Sequence, residues 1–202
     1  MKQRLMIVLC GAALVAAWSA TQACAGEEKA TPKPGDQAPD FALKDVDGKT
    51  VKLSDLAGKV VVLEWLNQQC PVSRGKHTER SMQKTAAKFK DQPVVWLGID
   101  SSHYADPEAN KKYAAKMEMV YAILHDSDGK VGKSYGAKTT PHMFVIDQKG
   151  KIVYAGAPDN AGREKPKEPR NYVAEAVEAT LNGSTIAVAS TRPYGCSVKY
   201  GK

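Results

Sequence analysis

The run Val60–Leu66 (VVVLEWL) is apolar at nearly every position. A strand with apolar side chains on both faces lies in the interior of a sheet that is covered on both sides. Cys70-Pro71 follows shortly after, and because proline is favoured at the first helical position, Cys70 is predicted to cap a helix. Helical spacing of apolar residues continues to Phe89. These features predict a layered fold, in which a central strand leads directly into a helix with a cysteine at its N-terminus.

The elements around this run alternate between strand and helix patterns. A second apolar run spans 94–100, a helix begins at Asp106, and alternation around a turn at 142–155 predicts a hairpin. Another hairpin is expected at 41–53, and Pro169 is predicted to start a last helix. The expected fold is therefore an α/β domain whose central mixed sheet is flanked by helices, with an N-terminal β-hairpin extension.

The N-terminal segment 1–25 has the three parts of a secretory signal peptide. Two cations precede an apolar stretch over 5–18, and a small-x-small pattern follows at 23–25. About 20 residues are needed to cross a bilayer, so a retained anchor is the less favoured interpretation, as is lipid attachment at Cys24. The protein is thus expected to be exported, periplasmic or extracellular. The predicted organisation is a signal peptide 1–25, a linker 26–35, a domain 36–183 and a C-terminal tail 184–202.

Removal of this segment would leave two cysteines, Cys70 and Cys196. Pairing is the default expectation in an oxidising compartment. Three outcomes stay open: Cys196 resolves a mixed disulfide formed on Cys70, the two form a static disulfide, or Cys196 is a free or intermolecular thiol.

Cys70 is the candidate nucleophile. The unpaired N–H groups and the dipole at a helix N-terminus stabilise a thiolate and lower its pKa from about 8.5, and Arg74 adds positive charge one turn along. We expect Cys70 to be ionised near neutral pH and open to partners. The alternative is a buried structural cysteine.

Two segments resemble thioredoxin-family proteins. Residues 60–70 (VVVLEWLNQQC) are similar to that family's central strand and active-site turn, and Thr139-Thr140-Pro141 with the hairpin after it is similar to its cis-proline segment. The segment 35–41 (GDQAPDF) looks more like the peroxiredoxin and membrane-associated thiol-reductase branches. The resemblance covers roughly 35–181 and implies a thioredoxin-like fold.

The resemblance also implies roles for individual residues. Cys70 would be the attacking thiolate and Glu64, six residues earlier, a buried proton carrier. Pro141 would be cis and pack against the cysteine, while Thr140 would present its backbone to a peptide substrate; an ordinary proline at a strand entry is the alternative. Cys196 would resolve the disulfide formed on Cys70, as C-terminal cysteines do in some peroxiredoxins.

The sequence departs from the family pattern at the active-site turn. The run at 70–73 is CPVS, so Ser73 stands where redox members usually carry a second cysteine. Peroxiredoxins have Thr or Ser three residues before the cysteine and Pro seven before it, whereas this chain has Asn67 and Leu63. These departures argue against a peroxide pocket.

The remaining candidates are supporting residues. Glu64 could instead form an ion pair with a lysine or Arg74, and His142, next to the proline, is the histidine expected nearest the sulfur.

The four histidines show no close metal-ligand spacing, so neither a metal nor a cofactor is predicted. The net charge of +7 is spread without long runs, which disfavours nucleic acid as a partner.

The first hypothesis is an exported thiol–disulfide oxidoreductase acting on protein thiols or disulfides, or with a small thiol reductant, and without stable membrane insertion once the signal is removed. The alternatives are a thiol peroxidase using the same cysteines, and a non-catalytic binding module with a static Cys70–Cys196 disulfide. No oligomeric state is predicted.

Overall fold

A computed structural model describes residues 31–162 and 166–201. The predicted signal peptide, 1–25, therefore lies outside the described residues. Within the described part of the chain, no helix combines the length and apolar character needed to cross a membrane.

The described residues form nine strands, five α-helices and one short 3₁₀ turn. The strands are β1 (Ala42–Asp45), β2 (Thr50–Lys52), β3 (Val60–Trp65), β4 (Val94–Asp100), β5 (Ala122–His125), β6 (Thr139–Thr140), β7 (His142–Ile146), β8 (Ile152–Gly156) and β9 (Cys196–Ser197). The helices are α1 (Pro71–Thr78), α2 (Ser81–Lys88), α3 (Pro107–Lys116), α4 (Lys130–Tyr135) and α5 (Tyr172–Leu181), and the 3₁₀ turn is Ser54–Leu56.

Seven strands form one mixed sheet in the order β2-β1-β5-β4-β3-β7-β8. Strands β3, β4 and β5 are parallel, while β1 and β7 run antiparallel to their neighbours. Every residue of β3 is buried, as its apolar run predicts for a strand inside a covered sheet. The predicted mixed sheet and N-terminal hairpin are confirmed.

Successive side chains of β3 enter two different cores because they point to opposite faces of the sheet. On one face Trp65 packs with Phe144, and on the other the strand packs with Phe89 of the α2 side and Val177 of α5. Glu64 shares the second face, where an isolated charge would be costly.

Two helix predictions are wrong in detail. The single helix expected from Cys70 to Phe89 is two helices, because Arg80 adopts a left-handed φ of 59° between them. The last helix begins at Tyr172 rather than Pro169, since the Asn171 side chain supplies the cap.

The predicted tail, described to residue 201, packs along the domain. Near its start, the Thr191 backbone N–H donates to the Ala155 carbonyl at 3.2 Å. Near its end, the Tyr200 hydroxyl donates to the Ala137 carbonyl at 2.9 Å. Between these anchors, β9 pairs with β6 and carries Cys196.

Asn171 provides a test of how α5 is held. Its side chain accepts from the Ala174 N–H at 2.9 Å and donates to Thr85 Oγ1 at 2.8 Å. Asn171→Ala loses both bonds and should lower the free energy of unfolding by about 1–2 kcal/mol. Asn171→Asp keeps the cap and should cost less. Urea unfolding followed by tryptophan fluorescence measures both, and equal losses would contradict the assignment of the cap.

Candidate active site

Asn67 shapes the turn between β3 and α1. Its carbonyl accepts from the Cys70 N–H at 3.0 Å, and its Oδ1 accepts from the Gln69 N–H at 2.7 Å. Its Nδ2 donates to Ser102 Oγ at 2.8 Å and to the Tyr104 hydroxyl at 2.9 Å. All the polar atoms of this side chain are therefore occupied in fixing the position of the cysteine.

Cys70 caps α1 as predicted. The Ser73 N–H donates to Cys70 Sγ at 3.5 Å, and Pro71 occupies the first helical position. Ser73, fully buried, accepts from the Asn67 N–H with its hydroxyl at 3.3 Å. The expectation of an open sulfur is wrong for this conformation, because Cys70 is only 3% exposed.

The Thr140–Pro141 peptide bond is cis, and its carbonyl side faces the cysteine. Cys70 Sγ lies 3.2 Å from the Thr140 carbonyl oxygen, to which the protonated thiol donates. Thr140 Oγ1 is buried and has no hydrogen-bond partner among the described residues, and the Thr140 side chain is one of the groups that lower the pKa of Cys70. The two segments that carry the family resemblance thus meet in space.

Strand β9 covers this meeting point. It runs antiparallel to β6 with Cys196 opposite Thr140. Gly195 has a φ of 120°, and a Cβ there would collide with the Thr140 carbonyl oxygen. Glycine is required because the tail crosses so close to the cis peptide bond. Cys196 itself is partly exposed.

The two thiols shift each other's pKa in opposite directions. Burial raises the pKa of Cys70, but hydrogen bonds from the Cys196 thiol, the Ser73 N–H, Thr140 and the Cys196 N–H outweigh it, so that the pKa is lowered. Burial raises the pKa of Cys196, as do its donation to Cys70 and the charge of that sulfur, against smaller opposing effects of Lys199 and the Val72 N–H. Of the two thiols, Cys70 is therefore the one that loses its proton at the lower pH.

Glu64 belongs to a buried polar network under α1. His77 Nε2 lies 2.9 Å from Glu64 Oε1, and both side chains are fully buried. The Tyr121 hydroxyl donates to Glu64 Oε2 at 2.7 Å, with Trp96 Nε1 at 3.4 Å from the same oxygen. The Tyr113 hydroxyl lies 2.7 Å from His77 Nδ1. Neither a lysine nor Arg74, the partners considered from the sequence, pairs with Glu64 among the described residues.

His77 is the residue that sequence reasoning missed. It lies four residues after Ser73, so both project from the buried face of α1. That spacing, together with an acidic residue in an apolar strand, is the signal that could have found the pair.

The two remaining supporting residues predicted from the sequence are His142 and Arg74. His142 Nδ1 accepts from the Lys138 N–H at 3.2 Å, and its ring packs 4.6 Å from that of Phe144. Burial and the charge of Lys138 lower the pKa of His142 to about 4, so it is neutral at pH 7. Arg74 is exposed, and hydrogen bonds rather than its charge lower the pKa of Cys70.

The sequence profile described as "AhpC/TSA family" matches residues 34–155, more than half of the chain. The chain belongs to the AhpC/TSA family. The matched residues include the cysteine turn, the cis-proline segment and the hairpin after it, but not β9.

Other proteins are similar to this chain in sequence or in fold. The thiol-disulfide oxidoreductase ResA of Bacillus thuringiensis is 28% identical over 122 residues, which are 59% of this chain and 66% of that protein. An uncharacterised conserved protein from Geobacillus kaustophilus has a TM-score of 0.75 at 29% identity, covering 85% of this chain and 93% of its own. The thioredoxin domain of a thiol-disulfide oxidoreductase from Bacteroides vulgatus has a TM-score of 0.54 at 27% identity, covering 60% and 86% respectively. The predicted thioredoxin-like fold is confirmed.

The Glu64–His77 pair predicts a large stability effect. His77→Ala leaves a buried carboxylate without its imidazole partner and should cost about 3–5 kcal/mol of unfolding free energy. His77→Gln, which keeps a donor, and the double change with Glu64→Gln should cost less. Chemical denaturation measures all three, and a loss below about 1 kcal/mol for His77→Ala would contradict the account.

The thiol pair predicts the direction of a pKa change. Cys70 should titrate below the ordinary thiol value of about 8.5. Cys196→Ala removes a hydrogen-bond donor to the thiolate and should raise the pKa of Cys70, while Cys196→Ser, which keeps a hydroxyl donor, should raise it less. Alkylation rates followed against pH measure this, in a background with Cys10→Ser and Cys24→Ser. A Cys70 pKa at or above the ordinary value in the parent protein would contradict the assignment.

Proposed function

We propose that this protein is an exported thiol–disulfide oxidoreductase in which Cys70 is the attacking thiolate and Cys196 the resolving thiol. The observation that carries the proposal is that β9 holds Cys196 opposite Thr140, whose carbonyl oxygen lies 3.2 Å from Cys70 Sγ, with opposite pKa shifts at the two thiols. Export rests on the signal-like segment 1–25, and sequencing the N-terminus of the secreted protein tests it.

The proposed reaction has two exchange steps. The Cys70 thiolate attacks one sulfur of a partner disulfide, and the other partner sulfur leaves as a thiolate. Cys196 then loses its proton to solvent and attacks Cys70 Sγ in the mixed disulfide, and the second partner sulfur leaves as a thiolate, which takes a proton from solvent. The partner gains two electrons, and the protein is left with a Cys70–Cys196 disulfide.

Cys196 takes the part that a second cysteine in the turn usually plays. Ser73, at that position, supplies only its backbone N–H to Cys70 and its hydroxyl to the turn. The second sulfur comes instead from a strand 126 residues further along the chain. In this proposal Glu64 stores a proton within the buried group that it forms with the Tyr121 hydroxyl and the His77 imidazole.

Access to Cys70 requires a movement of β9. The backbone of Thr140, proposed as a substrate contact beside Pro141, already pairs with Cys196. An extended partner therefore binds this edge only after β9 separates from β6. Small disulfides need a smaller opening than folded proteins do.

Hydrogen peroxide is a poor substrate in this proposal. The side chain of Asn67, at the position where peroxiredoxins carry Thr or Ser, is engaged in hydrogen bonds of the turn. Leu63, at the position of the peroxiredoxin proline, is fully buried in the core. Neither residue offers a polar group to a peroxide at Cys70.

The proposal is tested by single-cysteine variants in the Cys10→Ser and Cys24→Ser background. Reduction of a fluorescent peptide disulfide should be abolished by Cys70→Ser, because the nucleophile is gone. Cys196→Ser should complete one attack and accumulate a mixed disulfide on Cys70, detectable by mass spectrometry.

Ser197→Ala is the matched control, since Ser197 is the exposed neighbour of Cys196 in β9 and its hydroxyl, among the described residues, hydrogen-bonds with Lys199 alone. It should react like the parent protein. Turnover by Cys196→Ser at the parent rate would overturn the resolving role, and peroxide consumption faster than peptide reduction would favour the peroxidase.

A further inference from the structure

We propose that the reductant that restores the dithiol state attacks Cys196 rather than Cys70, while β9 stays in place. The inference rests on the proposed function, because it concerns how the oxidised Cys70–Cys196 pair is reduced. In the complete cycle, the partner disulfide then reacts at the sulfur of Cys70 and the reductant reacts at the sulfur of Cys196.

The first argument is access. Cys70 is 3% exposed and enclosed by the first turn of α1, the Thr140–Pro141 bond and β9, whereas Cys196 is partly exposed. Thiol–disulfide exchange depends on which sulfur can be reached by the attacking thiolate. With Cys70 inside and Cys196 outside, a thiolate arriving from solvent meets Cys196 first.

The second argument is that β9 is fastened on both sides of Cys196. Before it, the Tyr194 hydroxyl donates to Asp159 Oδ1 at 2.5 Å, and Asp159 pairs with Lys76 of α1 at 2.7 Å. After it, the Val198 N–H donates to the Lys138 carbonyl at 3.1 Å. A disulfide from Cys196 to Cys70 adds a covalent tie, so the oxidised protein holds β9 over Cys70 more firmly than the reduced protein does.

The third argument is the leaving group. The Ser73 N–H donates to Cys70 Sγ at 3.5 Å, and the surroundings of this sulfur, which include Thr140 and Cys196, lower its pKa. Cleavage that releases Cys70 therefore produces the better stabilised anion, and thiolates of lower pKa leave faster. The positive charge of Lys199 near Cys196 also favours the approach of an anionic thiolate.

The balanced reaction consumes two thiols of the reductant. The first reductant thiolate attacks Cys196 Sγ, the Cys196–Cys70 bond breaks, and Cys70 leaves as a thiolate. With a monothiol, the adjacent Cys70 thiolate attacks Cys196 again and expels it. With a dithiol, the second thiol gives up its proton and attacks the first reductant sulfur, and Cys196 leaves and takes a proton. The reductant becomes a disulfide, and the protein gains two electrons.

Mass mapping with a monothiol tests this assignment. The full chain with Cys10→Ser and Cys24→Ser is oxidised, mixed briefly with glutathione, quenched with acid, unfolded and alkylated with N-ethylmaleimide. We expect glutathione on Cys196 and N-ethylmaleimide on Cys70 in at least a tenfold excess over the reverse pattern. Glutathione mainly on Cys70, or equally on both, would overturn the inference.

A glycine variant tests whether β9 provides the protection. Gly195→Ala forces a Cβ towards the Thr140 carbonyl oxygen and should increase the share of glutathione on Cys70 severalfold. Gly183→Ala is the matched control, because Gly183 also has a positive φ, of 65°, but a Cβ added there would meet no atom within 4 Å among the described residues. An unchanged share in Gly195→Ala would overturn the role given to β9.

The two proposals fail in distinguishable ways. If oxidation produces no Cys70–Cys196 disulfide, the proposed function fails. If that disulfide forms but glutathione is found on Cys70, only the present inference fails.

Discussion

The short antiparallel pairing between β9 and β6 is the contact on which the site depends. It places Cys196 opposite Thr140, next to the cis peptide bond and above the first turn of α1. This single contact buries Cys70, supplies a thiol and an N–H to its sulfur, and brings together two cysteines that are far apart in sequence. Without this pairing, the chain would have a single cysteine at the N-cap of α1, as the sequence of the turn alone suggests.

The position of Cys70 combines two opposing effects. Burial disfavours the thiolate, and the donors around the sulfur favour it by a larger amount, so the net shift of the pKa is downward. A cysteine that was equally buried without those donors would be an inert thiol. The donors come from three separate parts of the fold: α1, β6 and β9. The integrity of the tail and the reactivity of the sulfur are therefore coupled.

Much of this arrangement could be predicted from local sequence. The apolar run of β3, the Cys70-Pro71 helix start and the hairpin after Pro141 each carry a strong local signal, and each is found where it was expected. These features also carry the family resemblance, which the profile match over 34–155 supports.

The rest depends on contacts between distant residues. Strand β5 is only four residues long with mixed burial, and β9 has two residues, so neither produces a periodic pattern. The break at Arg80 has no glycine or proline to mark it, and the partner of Glu64 is His77 because of how α1 packs on β3. The sequence predicts a C-terminal tail at 184–202 but not its path, and hydrogen bonds at Thr191 and Tyr200 fasten it to the domain.

The most direct measurement is a non-reducing peptide map of the protein after equilibration with oxidised dithiothreitol, with Cys10 and Cys24 replaced by serine. The account predicts one intramolecular cross-link joining the peptide that contains Cys70 to the peptide that contains Cys196, in monomeric protein and without prior unfolding. Two cysteines that both stay free, or that link only between separate chains, would contradict it.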